Sequence, residues 1–223
     1  MKARYHFPAM AALVLALSGV GAQSAARADF QYRVVVDTTS LRGTEGSLDF
    51  QFNPAAAGNA LPITAKISNF ALTGGTLAST SSRTGNTTGS LPGSLTLLNG
   101  SATNEFQADL TFGRSFSFDT TLTGAGVNNP SPGFLGSVFT LSLQDLGFSP
   151  KLTTDPAGSV LSIALRPNGS SVVSTFASGP NGLPSVVTVS AVPEPASCLL
   201  LGLGMAGLVA SGIGRRRVGV ARV

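Results

Sequence analysis

Glu105-Phe106-Gln107-Ala108-Asp109-Leu110-Thr111-Phe112-Gly113-Arg114-Ser115-Phe116-Ser117-Phe118-Asp119 is the stretch that decides the fold class. Apolar side chains stand at 106, 108, 110 and 112, then at 116 and 118, with polar residues between them. A period of two describes a strand with one face buried; a helix would repeat every three to four residues. The two runs read as a hairpin, which would let Asp109 and Asp119 face each other across it. The same alternation extends outward in both directions. Before it come Phe30, Tyr32, Val34 and Val36; Leu48, Phe50 and Phe52; Ile63, Ala65 and Ile67; and Leu95 and Leu97. After it come Phe139, Leu141 and Leu143; Leu161, Ile163 and Leu165; Val172 and Val173; and Val187 and Val189.

Turn signals separate these sets: Arg42-Gly43, Asn53-Pro54, Gly74-Gly75, Pro92-Gly93, Asn99-Gly100, Pro132-Gly133, Asn168-Gly169 and Pro180-Asn181-Gly182. No helix-period segment interrupts them. The expected fold is all-β: a single antiparallel β-sandwich over residues 29–191, jelly-roll-like. Its phenylalanines are expected in the core, because exposed sugar-stacking platforms usually use Trp or Tyr, and the chain has no Trp. Ser79–Ser90 (STSSRTGNTTGS) is small and polar and reads as a long exposed loop or hairpin tip. The triplets beginning at Asn86, Asn99 and Asn168 have the form of glycan acceptors, although solvated turns explain them as well.

Composition removes several classes of function. The net charge of +4 suggests a nucleic-acid partner until the charges are located. Residues 29–191 hold seven Lys and Arg against nine Asp and Glu, so this span is near −2 and offers no phosphate-binding footprint. No nucleic acid is expected as a partner. The one histidine, His6, and the one cysteine, Cys198, both lie outside that span. It therefore lacks His or Cys ligands for zinc, haem or iron–sulfur, and any Ser–His or Cys–His nucleophile pair. Neither a metal nor a cofactor is expected. Asp37, Asp49, Glu105, Asp109, Asp119, Asp145 and Asp155 are the carboxylates available for chemistry. Asp37 and Asp49 fall at strand ends that could adjoin, yet no spacing marks a catalytic pair.

Both ends carry targeting patterns. Lys2 and Arg4, then the apolar run Ala9–Val20, then Ala26-Arg27-Ala28, form a secretory signal peptide over residues 1–28. Ala26 and Ala28 occupy the positions that signal peptidase reads, and Asp29 would begin the mature chain. An uncleaved anchor is the alternative. At the other end stand Val192-Pro193-Glu194-Pro195, the uncharged run 196–214, and Arg215-Arg216-Arg217, followed by residues 218–223. A helix over 196–214 would be about 28 Å long, close to the roughly 30 Å of a bilayer core. A buried core helix is the alternative for this run. The arginines would stay cytoplasmic, leaving 218–223 as a cytoplasmic tail and residues 29–191 outside. The two prolines make the segment before the helix stiff and extended, with Glu194 as a recognition handle.

Pro193-Glu194-Pro195, an apolar helix and a basic cluster, in that order, resemble the PEP-CTERM sorting signal, over residues 192–217. The stretch Tyr32–Phe52, Asn69-Phe70 and Ser90-Leu91-Pro92-Gly93 also loosely resemble landmarks of a group of PEP-CTERM proteins, and bring no catalytic residues with them. The resemblance implies a Gram-negative cell and recognition by an exosortase. It further implies cleavage near Pro193-Glu194-Pro195 and delivery to the cell surface or the exopolysaccharide matrix. The implied partners are the general secretion machinery, signal peptidase, the inner membrane and the exosortase, with exopolysaccharide as a further candidate. The leading expectation is an exported, non-enzymatic surface or matrix protein. The alternatives are a polysaccharide-binding module, using loops at one end of the sandwich, and a carboxylate-dependent hydrolase.

Overall fold

The computed structural model of the chain describes residues 29–56, 61–131, 133, 135–179 and 182–193. The expected signal peptide with Ala26 and Ala28, Glu194, Pro195, the run 196–214 with Cys198, and Arg215, Arg216 and Arg217 lie outside the described residues. No helix among the described residues is long and apolar enough to cross a membrane.

The strands are β1 (Phe30–Asp37), β2 (Glu45–Pro54), β3 (Ile63–Thr73), β4 (Thr76–Thr84), β5 (Thr87–Gly89) and β6 (Leu95–Leu98). They continue as β7 (Glu105–Thr111), β8 (Ser115–Gly124), β9 (Ser137–Gln144), β10 (Ser159–Leu165), β11 (Ser171–Thr175) and β12 (Val187–Ala191). A 3-10 turn at Thr39–Leu41 and a single-turn helix, α1 (Ala125–Asn128), are the helical pieces among the described residues. The strands form two six-stranded sheets, ordered β12-β1-β8-β3-β6-β5 and β11-β10-β9-β2-β7-β4. All pairings are antiparallel, as expected.

The pairing is nested: β1 with β8, β2 with β7, and β3 with β6. This is the connectivity of a jelly roll. There are two departures from it. The short β5 sits beside β6 in the first sheet, and β9, β10 and β11 widen the second sheet beyond β2. Between the sheets the alternating residues interdigitate. Phe50 of the second sheet meets Phe118 of the first edge to face, with ring centroids 5.3 Å apart. Phe139 lies 6.2 Å from Phe50, and Phe116 stacks 6.3 Å from Phe118. Each such ring removed from water contributes about 1.5–3 kcal/mol.

The opening stretch is not a hairpin. Its turn at Phe112–Arg114 carries the chain from β7 in the second sheet to β8 in the first. Phe106, Leu110, Phe116 and Phe118 therefore converge on one core from opposite sides. Asp109 and Asp119, alternating with them, lie on the outer faces of opposite sheets and do not face each other. Asp37 and Asp49 are separated in the same way: Asp37 ends β1, whereas Asp49 lies within β2 in the other sheet.

The segment 79–90 also differs from expectation. Most of it belongs to β4 and β5, joined at Gly85-Asn86. β4 is an edge strand, pairing only with β7, and its side chains are exposed along nearly its whole length. An edge strand with two wet faces needs no apolar alternation, and the register irregularity between Leu77 and Ser81 together with the charge of Arg83 discourages edge-to-edge pairing. Asn53-Pro54, read as a turn, instead ends β2 in register with Val138 and Ser137.

Candidate functional site

Two places carry functional interest: the edge where the chain enters and leaves the sandwich, and a groove on the outer face of the second sheet. At the edge, β12 pairs with β1, with Ala191 opposite Tyr32. The Val192 N–H then donates to the Gln31 carbonyl at 2.8 Å. Pro193, which has no N–H to continue the ladder, follows at once and is exposed. Asp29 lies at the same end of β1, where its carboxylate accepts a hydrogen bond from the Asn128 side chain at 3.2 Å. Residues 29 and 193 thus leave the sandwich at one end of one sheet edge.

The outer face of the second sheet is a lattice of amides, hydroxyls and carboxylates. Asn53 donates to Gln51 at 3.0 Å and Gln51 to Asp49 at 2.8 Å. Gln107 donates to the Ser47 hydroxyl at 3.2 Å. Asp49 is buried within this lattice, and its Oδ1 has no hydrogen-bond partner. Burial raises its pKa to about 7, opposed by donation from Gln51 and reinforced by the Glu105 carboxylate nearby. The structure therefore brings Asp49 together with Glu105, where sequence reasoning looked for Asp37.

Beside this lattice lies the groove. Its floor comes from β2 and β7 (Ser47, Gln107, Asp109) and its near wall from β4 (Thr80, Ser81, Ser82). Leu146 and Phe148, from the β9–β10 connection, form the far wall of a cavity of about 270 Å³. A second cavity of about 210 Å³ continues it past Asp109 and Leu146 toward Glu45 and Thr76. Register places Glu45 opposite Thr111 and Ser47 opposite Asp109, so Glu45 and Asp109 are diagonal neighbours on one face.

The far wall is built around Asp145. Its Oδ1 accepts the backbone N–H groups of Gly147 and Ser149, each at 2.9 Å. Its Oδ2 pairs with the Lys151 ammonium at 2.8 Å. The Lys151 partner and these two N–H groups hold the Asp145 pKa below the usual carboxylate range. The loop presents Phe148 to solvent with 66% of its surface exposed and φ at +62°. A bulky side chain in the left-handed region is strained. Phe148 thus departs from the expectation that phenylalanines fill the core, which Phe50, Phe52, Phe106, Phe112, Phe116, Phe118 and Phe139 do. Nothing in the local sequence sets Phe148 apart except the surrounding Asp-Leu-Gly-Phe-Ser-Pro turn signal.

The remaining carboxylates have structural partners. Asp119 accepts from Arg33 at 3.0 Å and from Asn69 at 2.7 Å. Asp155 accepts the Ser159 N–H at 3.1 Å, and Asp37 accepts the Thr39 N–H at 2.9 Å. No group of three His, Cys, Asp or Glu side chains able to hold a metal comes together among the described residues. Asn99 is a buried strut: its amide accepts from the Ile63 N–H and donates to the Leu61 carbonyl and the Ser137 hydroxyl, each at 2.9 Å. It is not a solvated turn residue and is not available as a glycan acceptor in the folded chain.

No curated protein and no solved structure matches the chain. A family model does, that of the PEP-CTERM protein-sorting motif, over residues 191–217. The match begins where β12 ends and covers the three-part segment that the sequence singles out. In this chain an antiparallel β-sandwich is followed directly by a PEP-CTERM protein-sorting motif.

Proposed function

We propose that this is a non-enzymatic protein of the cell surface or extracellular matrix, placed there by exosortase processing of its C-terminal motif. The sorting motif itself indicates an exported protein whose precursor is held in the membrane and processed by an exosortase. The carrying observation is the motif at residues 191–217, starting on the last residue of an edge strand. In this reading residues 1–28 are removed by signal peptidase after Ala28, and the sandwich folds in the periplasm. The helix over 196–214 and Arg215, Arg216 and Arg217 hold the precursor in the inner membrane. Pro193, Glu194 and Pro195 are the strip the exosortase reads.

The geometry supports this arrangement. Asp29 and Pro193 emerge from the same end of β1 and β12, so leader and tail can enter one membrane from one side of the domain. With Val192 still hydrogen-bonded to Gln31, almost no linker separates the sandwich from the motif. The enzyme must therefore work with the domain close against it. Replacing Pro193, Glu194 and Pro195 with alanines should leave an unprocessed, membrane-held species. Normal processing and release of that variant, read by immunoblot of membrane and extracellular fractions, would overturn the proposal.

A further inference from the structure

We infer that the groove between β7, β4 and the Asp145–Phe148 loop binds a neutral oligosaccharide, with Phe148 as its stacking platform. Three observations meet there. First, the floor and near wall hold uncommitted hydrogen-bonding groups. Among the described residues the Asp109 carboxylate, the Gln107 side-chain oxygen and the hydroxyls of Thr80, Ser81 and Ser82 make no hydrogen bond. A carboxylate can accept two neighbouring hydroxyls, and an amide oxygen a third.

Second, the far wall presents a large apolar ring to water. Phe148 is 66% exposed and has a left-handed backbone, held by the Asp145 hydrogen bonds and the Lys151 ion pair. An exposed, strained aromatic beside polar groups matches the two-sided chemistry of a pyranose, with an apolar C–H face and a rim of hydroxyls. Third, the lining contains no Lys or Arg, whereas Asp109 and Glu45 both border the groove. An anionic sugar would meet two carboxylates and no lining cation, which excludes acidic glycans, and an uncharged one meets no such repulsion.

The floor of the site is the outer sheet face, and one loop, the β9–β10 connection, supplies its far wall. The inference extends the export reading, which says only where such a glycan would be met. Binding is measured on the purified chain without any sorting step, so the two fail separately.

The test is affinity electrophoresis of the full chain in mild detergent, through gels containing galactomannan, xyloglucan, dextran or alginate. Retardation by at least one neutral polymer and none by alginate is expected. Phe148→Ala and Gln107→Ala should each weaken the retardation about tenfold, while Phe148→Tyr retains it. Phe148 lies outside the core, so its truncation leaves the sandwich intact, and Gln107→Ala probes the floor independently. No retardation by any neutral polymer would overturn the inference. So would retardation that survives both alanine substitutions, or release of reducing ends, which would make the groove a hydrolytic site.

Discussion

Asp49 places an ionisable group where only its neutral form is comfortable. With its pKa raised to about 7, the folded chain holds a proton that the unfolded chain releases near pH 4. Stability contributed by that proton is complete below pH 4, falls as pH rises, and is gone above pH 7. Asp49→Asn mimics the protonated acid. It should match the parent at pH 4 and exceed it by roughly 2–4 kcal/mol at pH 8, measured by urea denaturation at the two values. Asp37 and Asp145 act in the opposite sense. Hydrogen bonds from Thr39 lower the first, and Lys151 with two backbone N–H groups lowers the second. What they contribute is present at neutral pH and lost as acid protonates them. Asn99 offers a separate check on a neutral group. Asn99→Ala removes a buried amide and strands the Ile63 N–H, so a loss of about 2–4 kcal/mol is expected in the same denaturation assay.

At the scale of the element, the alternating strands could be read directly because burial on one face leaves its period in the sequence. Leu48, Phe50 and Phe52, or Phe139, Leu141 and Leu143, all lie in the core as expected. β4 could not be read this way, because an edge strand with both faces wet carries no such period. Whether two alternating runs pair with each other is also invisible to periodicity. β7 and β8 are joined by three residues, yet they lie in different sheets. Gly113 makes that corner possible. A Cβ there would collide with the backbone of the β3–β4 turn at Thr73, Gly74 and Gly75. Gly113→Ala must therefore displace the main chain of that turn, and should cost about 1–3 kcal/mol by thermal or chemical denaturation. The groove was hidden for a related reason: Asp109, Gln107 and Phe148 are brought together by sheet order and a loop, with no spacing motif.

For the whole molecule, the sandwich and its address are continuous. The last residue of β12, an edge strand of the first sheet, is also the first residue of the motif match, Ala191. The motif could be read in the sequence because an uncharged apolar run, a Pro-Glu-Pro strip and a basic cluster are each local and ordered along the chain. The partner of the domain could not, because recognition by a sheet face depends on neighbours that are far apart in sequence. Export followed by exosortase processing is the central claim about what the chain does. Intact-mass spectrometry of the protein recovered from the extracellular fraction of its own host tests it most directly. The recovered chain should start at Asp29 and end close to Pro193-Glu194-Pro195, lacking the run 196–214 and the three arginines. A recovered chain that still carries residues 196–223 would contradict it.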